Sequence, residues 1–188
     1  MGRWEPNARG RLGRAAMELY VERGFDRTTV AEIAERAGLT KRTFFRHYAD
    51  KRDVLFAGMA PLREVVVRAV AEAPASLTPF AVVSLGLETA AEMIQERPED
   101  VKMRQAVIDV HLELQERELV KLAALARDIA AALRGRGLDA WLARLVAEAG
   151  MAAFRVAFAR WIANSAEGPL TQVVRESMEE LAATIAEG

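Results

Sequence analysis

One short segment of the chain concentrates side chains that donate hydrogen bonds or carry positive charge. Residues 40–47 read Thr-Lys-Arg-Thr-Phe-Phe-Arg-His, so six of the eight side chains can act as donors. If the segment is helical, they lie on about two turns and suit the base edges and phosphates of a duplex groove. A solvated charged helix in an ordinary bundle has a similar composition, so composition alone leaves both interpretations open.

The flanking residues predict the elements that would position this segment. Thr29 begins a Thr-Val-Ala-Glu capping box, which starts a helix with an apolar face. Gly38 supplies the sharp turn that follows, and Thr40 is a second N-cap candidate. Ala34 is small enough for close helix crossing, while Phe44 fills the space between the helices. The pattern predicts a helix-turn-helix that directs the donor-rich helix outward, in an orientation that can enter a major groove.

The charge distribution supports this interpretation. Residues 1–52 contain 12 Lys and Arg against 7 Asp and Glu, whereas the rest of the chain contains 14 against 20. A basic N-terminal part joined to an acidic body is the asymmetry expected when only one end contacts a polyanion. The net charge of −1 hides this difference.

The sequence predicts an all-α protein. Apolar residues recur at helical spacing, and Pro and Gly fall at breaks. We expect about nine helices, over roughly 7–23, 29–37, 40–48, 51–72, 79–97, 99–110, 111–134, 138–164 and 170–186. Pro61 should kink or divide the fourth. Residues 1–50 are predicted to form a helix-turn-helix DNA-binding domain, and residues 51–188 a helical domain for ligand binding and dimerisation.

Several classes of protein are excluded by composition and motifs. The chain has no cysteine, hence no disulfide or thiolate metal site, and its most apolar stretch, 147–159, is interrupted by Arg155. His47 and His111 are the only histidines, and neither follows a Glu by three residues, as a di-metal bundle requires. No phosphate-binding glycine loop or nucleophile elbow is present. We expect a soluble cytoplasmic protein that is not an enzyme and has no metal, cofactor or membrane partner.

The stretch over residues 24–51, GFDRTTVAEIAERAGLTKRTFFRHYADK, resembles the TetR family of bacterial regulators. The resemblance implies that Thr40, Lys41, Arg42 and Thr43 begin a recognition helix. Arg42 stands where many relatives have glycine, and it could bond guanine O6 and N7. Phe45 replaces the usual tyrosine and lacks its hydroxyl. The predicted DNA-binding residues are Thr29, Thr40, Lys41, Arg42, Thr43, Phe45, Arg46, His47 and Lys51.

The resemblance further assigns three of these residues to phosphates, namely Thr29, His47 and Lys51. Helix N-terminal amides suit the same task. Arginines near the N-terminus could add phosphate or minor-groove contacts, although a terminal arm of this kind is as often disordered. They are Arg3, Arg9, Arg11 and Arg14.

The body is predicted to form a homodimer through its eighth and ninth helices, over about 138–164 and 170–186. The eighth is apolar on nearly all sides between 149 and 159, so it needs partners on two faces. Gly150, Ala152, Ala153 and Ala157 would allow close approach. A twofold axis would then set two recognition helices about 34 Å apart, in successive major grooves. A central helix in a monomer is the alternative.

The resemblance also implies an apolar effector cavity in the body, with a few polar groups. The candidate ligand-binding residues are Phe80, Met93, Met103, Gln105, Ile108, His111, Phe154, Phe158 and Trp161. Each of these residues could equally be ordinary core.

The function predicted is that of a ligand-responsive repressor that a small, largely apolar effector releases from its operator. Effector binding would move the helix after Asp50 as a lever, with Pro61 as hinge. Two alternatives remain: a hydrophobic small-molecule binding protein without DNA activity, and a transcriptional activator.

Overall fold

The computed structural model describes residues 7–164 and 168–186, which contain ten α-helices. They are Ala8–Arg23 (α1), Val30–Arg36 (α2), Lys41–His47 (α3), Lys51–Leu55 (α4), Met59–Glu72 (α5), Pro79–Gln95 (α6), Pro98–Asp109 (α7), Leu112–Gly135 (α8), Ala140–Ala163 (α9) and Leu170–Ala186 (α10). The described residues contain no strand, so the all-α prediction is confirmed. No described helix combines the length and apolar character that crossing a bilayer requires.

The N-caps predicted around the helix-turn-helix are present. Thr29 Oγ1 accepts a hydrogen bond from the Glu32 amide at 3.3 Å, and the Glu32 carboxylate accepts one from the Thr29 amide at 2.8 Å. This completes the predicted capping box of α2. The side chains of Thr40 and Asp50 cap α3 and α4. Each cap satisfies amides that a helix N-terminus would otherwise leave without partners.

The helix predicted over 51–72 is two helices in the structure, which accounts for ten in place of nine. α4 ends at Leu55 and α5 begins at Met59, so the division precedes Pro61 instead of falling at it. Pro61 then lies in the first turn of α5. Amides in that turn have no partner within the helix, so the missing proline N–H costs no hydrogen bond there.

The chain forms two compact units, of which the first combines Met1–Met59 with Glu99–Glu118. Phe44 of α3 is fully buried in its core, together with Ile108 of α7 and Leu114 of α8. The helix-turn-helix therefore shares one hydrophobic core with a segment that lies far along the chain. The division at residue 50 stays a prediction about functional organisation.

The second unit combines Ala60–Pro98 with Leu119–Gly188. In it α10 packs against α6 and α9, and α6 packs against α9. Gly150 of α9 is buried at one of these contacts: a Cβ built there would lie 2.4 Å from Val83 Cγ1 of α6. The glycine therefore permits a helix approach that a larger residue would obstruct.

Candidate nucleic-acid interface

The turn between α2 and α3 has the backbone conformation that the sequence predicts. Gly38 adopts φ +64°, a left-handed conformation that favours glycine. The amide of Leu39 donates to the carbonyl of Ala34 at 2.8 Å, which closes the turn. The Arg11 guanidinium donates to the Ala37 carbonyl. A side chain of α1 thus fixes the end of α2 and, through the short turn, the start of α3.

One side of α3 is anchored in the core of the first unit. Phe44 is fully buried and its ring lies 5.5 Å from that of Tyr48, which is also buried. The Tyr48 hydroxyl donates to the Arg9 carbonyl on α1 at 3.0 Å, and burial raises the pKa of this phenol. The anchored side fixes which residues of α3 point outward.

The other side of α3 is an exposed cationic face, which we call the outer face and define as Lys41, Arg42, Phe45 and Arg46. All four side chains are exposed. Their spacing of i, i+1, i+4 and i+5 puts them on one side of the helix. Among the described residues, no carboxylate forms an ion pair with any of the three cations. The outer face therefore presents positive charge that no carboxylate in the described part of the chain neutralises.

Several arginines elsewhere in the same unit form ion pairs with carboxylates, unlike the cations of the outer face. Arg23 pairs with Glu32 at 2.9 Å, and Arg36 pairs with Glu22 at 2.8 Å. Three further arginines form ion pairs with Asp or Glu, namely Arg52, Arg104 and Arg117. Arginines that lie against carboxylates are poor partners for phosphate, whereas those of the outer face have no such competitor among the residues that the structure describes.

Thr40 and Thr43 lie at the start of α3 and share one hydrogen bond. Their hydroxyl oxygens are 3.0 Å apart, and the Thr43 amide also donates to Thr40 Oγ1 at 3.1 Å. Two hydroxyls carry two hydrogens, and the bond between them uses one. The second hydrogen is left for an external acceptor, such as a phosphate oxygen.

Three predicted phosphate contacts have other partners or surroundings here. The Thr29 hydroxyl donates to Glu32 Oε2 at 2.8 Å, and hydrogen bonds from Thr29 hold the pKa of Glu32 below its usual range. His47 Nε2 is buried without a hydrogen-bond partner. Lys51 Nζ donates to the carbonyls of Phe25, Asp26 and Thr28 at 2.8, 3.1 and 3.1 Å. The phosphate contacts of these residues stay predictions.

The Lys51 contacts are those of a structural cation. Its ammonium has three hydrogens, and three carbonyls of the 25–28 loop accept them. The same ammonium lies 4.4 Å from the centre of the Phe25 ring. Lys51 thereby joins the start of α4 to the loop that precedes α2.

Sequence reasoning missed two arginines that hold α4. Arg104 of α7 donates from Nε to the Leu55 carbonyl at 2.6 Å, at the C-terminal end of α4. Arg117 of α8 pairs with Asp50 at 3.1 Å, at the N-terminal end. Both guanidinium groups also lie over the ring of Phe56, at 5.2 and 5.9 Å. No local pattern marks them, because their partners are about 50 or more residues away in the chain.

Of the N-terminal arginines, Arg9 and Arg11 make contacts within the protein. Arg9 donates to the Ala57 carbonyl at 3.3 Å and lies over the Tyr48 ring. Arg14 is exposed on α1. Arg3 lies outside the described residues.

The predicted ligand-binding residues fall in both units. Phe154, Phe158 and Trp161 form an aromatic row on α9 of the second unit, with successive ring centres 6.4 and 6.2 Å apart. Phe80 and Met93 are half-buried on α6, which packs against α9.

The other four lie on the 99–118 segment of the first unit. Ile108 is fully buried in its core, and Met103 is exposed. Gln105 donates to Asp109 at 2.8 Å. The His111 ring lies 5.1 Å from that of Phe25, and its Nδ1 is 2.7 Å from the Val107 carbonyl oxygen. Their role in ligand binding stays a prediction.

The region around this cationic helix matches a known family. Residues 13–57 match the profile described as bacterial regulatory proteins, tetR family. The predicted resemblance to this family is confirmed on the matched segment, which contains the turn at Gly38 and the whole outer face of α3.

Curated transcriptional regulators match part of the chain. The regulator TcmR of Streptomyces glaucescens is 37% identical over 76 residues, which are 40% of this chain and 34% of that protein. An uncharacterized HTH-type transcriptional regulator of Mycobacterium tuberculosis is 46% identical over 46 residues, 24% of each chain. The match thus spans about a third or less of the length of these relatives.

Two solved structures resemble the chain over nearly its full length. Thermus thermophilus FadR, a repressor in complex with lauroyl-CoA, is 26% identical, covers 93% of both chains and has a TM-score of 0.58. The SmeT–triclosan complex is 18% identical, covers 94% of this chain and 90% of that one, and has a TM-score of 0.69. At that identity the second comparison supports the fold alone.

Proposed function

We propose that this chain is a transcriptional regulator that binds operator DNA with α3 and releases it when a largely apolar effector binds. The observation that supports this most directly is the outer face of α3, where Lys41, Arg42 and Arg46 are exposed and have no carboxylate partner within residues 7–164 and 168–186. A duplex offers phosphates and base edges that match these donors. The helix is anchored by Phe44, so its cations are held in place when DNA arrives.

Salt dependence of duplex binding tests the DNA half of the proposal. We expect affinity to fall steeply with salt, because each phosphate that is neutralised releases counterions. A triple variant with Lys41, Arg42 and Arg46 changed to Gln should lose binding and reduce the salt slope. The matched control changes Arg68, Arg127 and Arg134 to Gln, three exposed arginines of the second unit. Equal loss in both variants, or no duplex binding by the wild type at low salt, would refute DNA binding by α3.

We infer that the chain binds DNA as a homodimer through α9 and α10. α9 has exposed apolar side chains, including Val156 at 66% and Leu145 at 67% exposure. Ala152 is also exposed, whereas Gly150, Ala153 and Ala157 are buried within the protomer. Exposed apolar side chains along one helix favour a partner of similar character. Because one α3 covers only a few base pairs, two copies about 34 Å apart would read a symmetric operator.

The dimer is tested with two variants of equal surface exposure. Val156 of α9 and Val120 of α8 are each 66% exposed. We expect Val156→Arg to give a monomer in light scattering and to weaken operator binding, while Val120→Arg stays dimeric. The reverse outcome would assign the interface to α8, and two dimeric variants would remove α9 from it.

The effector is proposed to bind in the second unit, next to the aromatic row of α9. Phe154 and Trp161 are buried and Phe158 is half-buried, so the row forms a large apolar surface with little exposure to water. Phe80 and Met93 extend the candidate set on α6. Lauroyl-CoA bound to the Thermus thermophilus repressor makes a long-chain acyl thioester a reasonable probe for this chain.

The effector proposal is tested by titrating operator-bound protein with lauroyl-CoA and, separately, with triclosan. We expect one of them to release the operator and to change the fluorescence of the buried Trp161. Phe158→Ala should weaken that response without altering operator affinity in the absence of ligand. Unchanged operator affinity with both probes, alongside a fluorescence change, would favour a ligand-binding protein whose DNA contacts are not regulated. An increase in operator affinity would overturn the release proposed here.

A further inference from the structure

We propose that the outer face of α3 reads guanine and thymine, with Arg42 and Arg46 on guanines and Phe45 against a thymine methyl group. This inference rests on the proposed DNA-binding function and specifies the base sequence that the function would recognise. It follows from which side chains point outward, which of them are unpaired and which chemical groups the helix lacks.

The hydrogen-bond donors and acceptors of α3 match guanine better than the other bases. Residues 40–48 contain no Asn, Gln, Asp or Glu. Adenine is read in the major groove by a side-chain amide that donates and accepts at once, and the cytosine amino group needs an acceptor such as a carboxylate. The outer face offers neither group. Guanine O6 and N7 are both acceptors, and they match the parallel N–H groups of arginine.

The exposure and spacing of Arg42 and Arg46 suit contact with two guanines. Arg42 and Arg46 are exposed, and no carboxylate among the described residues engages either of them. They are separated by one helical turn, so their Cα atoms lie about 6 Å apart along the helix axis. That distance is close to two base-pair steps of about 3.4 Å. Two guanines within three consecutive base pairs are therefore within reach of the pair.

Phe45 is an apolar residue of the outer face, and it is 57% exposed. Its ring packs edge-on against the buried Phe44 ring, with centres 5.5 Å apart and planes at 83°. This contact supports the Phe45 ring from below. Phe45 lies between two cations on the outer face, Arg42 and Arg46. In the major groove the main apolar feature of a base pair is the thymine C5 methyl group. Phe45 has no hydroxyl, so it cannot donate to a phosphate.

His47 does not widen this base preference. It could donate to several bases, but its Nε2 is buried and lies on the side of α3 opposite the outer face. Thr40 and Thr43 are bonded to each other and keep one free hydroxyl hydrogen. Hydroxyls pair with several bases and carry little discrimination. The arginines and Phe45 therefore dominate the specificity of α3.

The experiment begins with selection of bound sequences from random duplex DNA by the full chain. We expect each selected half-site to contain two guanines within three base pairs, next to a thymine. Replacing each guanine by 7-deazaguanine removes N7, and replacing thymine by deoxyuridine removes the methyl group. Each guanine replacement should weaken wild-type binding about 10-fold or more. The uridine replacement should give a smaller loss.

Variants connect each base to its side chain. Arg42→Ala should bind the natural duplex and the duplex with 7-deazaguanine at one of the two guanines equally well. Arg46→Ala should be insensitive to 7-deazaguanine at the other guanine. Phe45→Ala should bind the thymine and deoxyuridine duplexes equally well. Arg68→Gln, from the second unit, should retain all three discriminations. Thermal unfolding checks that the exposed substitutions leave the fold intact.

The outcomes separate this inference from the proposed function. Specific, salt-sensitive binding to half-sites without paired guanines, or 7-deazaguanine losses that persist in both arginine variants, would overturn the base assignment while DNA binding stands. Absence of binding to every duplex at low salt would overturn both.

Discussion

The guanidinium of Arg117 donates to the carboxylate of Asp50 at 3.1 Å, and the same guanidinium bonds Asp53. Asp50 is the N-cap of α4, so one arginine from α8 holds the first turn of the helix that follows α3. Arg104 holds the opposite end of α4 through the Leu55 carbonyl. Side chains of α7 and α8 therefore hold both ends of α4.

Two substitutions at Asp50 separate the cap from the ion pair. Asp50→Asn keeps an N-cap oxygen but loses the charge that faces Arg117, whereas Asp50→Ala loses both. We expect Asp50→Ala to lower the free energy of unfolding by about 1 kcal/mol more than Asp50→Asn does. Urea unfolding measures the difference. Equal losses would mean that the cap contributes little beside the ion pair.

The Asp50 carboxyl should also make stability depend on pH in the acid range. Burial raises its pKa, but hydrogen bonds from the Asp53 amide and Arg117 outweigh burial and hold the pKa below the ordinary 3.8. The folded state therefore favours the ionised form, and this contribution is present above the ordinary pKa and is lost as pH falls through the lowered folded value. We expect the stability difference between wild type and Asp50→Asn to shrink below pH of about 4. A difference that stays constant from neutral pH to pH of about 3 would contradict the assignment.

Lys51 offers a test between a structural and a phosphate-binding role. Lys51→Met leaves three carbonyls without their donor, so we expect a loss of about 2 kcal/mol or more in unfolding free energy. If Lys51 does not contact DNA, the slope of log affinity against log salt should stay as in the wild type. Lys41→Met is the matched comparison: it should leave stability unchanged and reduce that slope by about 1 for each protomer bound. A reduced salt slope for Lys51→Met would show instead that Lys51 contacts a phosphate.

Gly150 should tolerate no larger residue. A Cβ at this position would meet Val83 Cγ1 at 2.4 Å, so Gly150→Ala forces the Val83 side chain or one of the helices α6 and α9 to shift. We expect a destabilisation of about 1–3 kcal/mol, although alanine is the better helix former. Gly135→Ala is the control, because nothing lies within 4 Å of its added Cβ, and it should be neutral or stabilising. Stabilisation in both variants would show that the α6–α9 contact relaxes freely.

The sequence by itself determined the local features of this protein. The caps at Thr29, Thr40 and Asp50 and the left-handed turn at Gly38 involve side chains and backbone within a few residues of each other. The alternation of buried Phe44 with exposed Phe45 follows from helical periodicity alone. Such features depend on short-range geometry, so a pattern of letters predicts them.

Tertiary structure decided which side chains from distant parts of the chain contact each other. The sequence predicts a phosphate contact for Lys51 by resemblance, and it does not show the three carbonyls of the 25–28 loop that folding brings to the Lys51 ammonium. Ile108 and His111 are predicted effector-site residues, and only the folded chain shows that they pack in the unit that contains the helix-turn-helix. Partners tens of residues apart meet only after the chain has folded, and no periodicity encodes which segments become neighbours. The sequence therefore determined what each helix presents, while packing decided which of those side chains remain free to bind DNA.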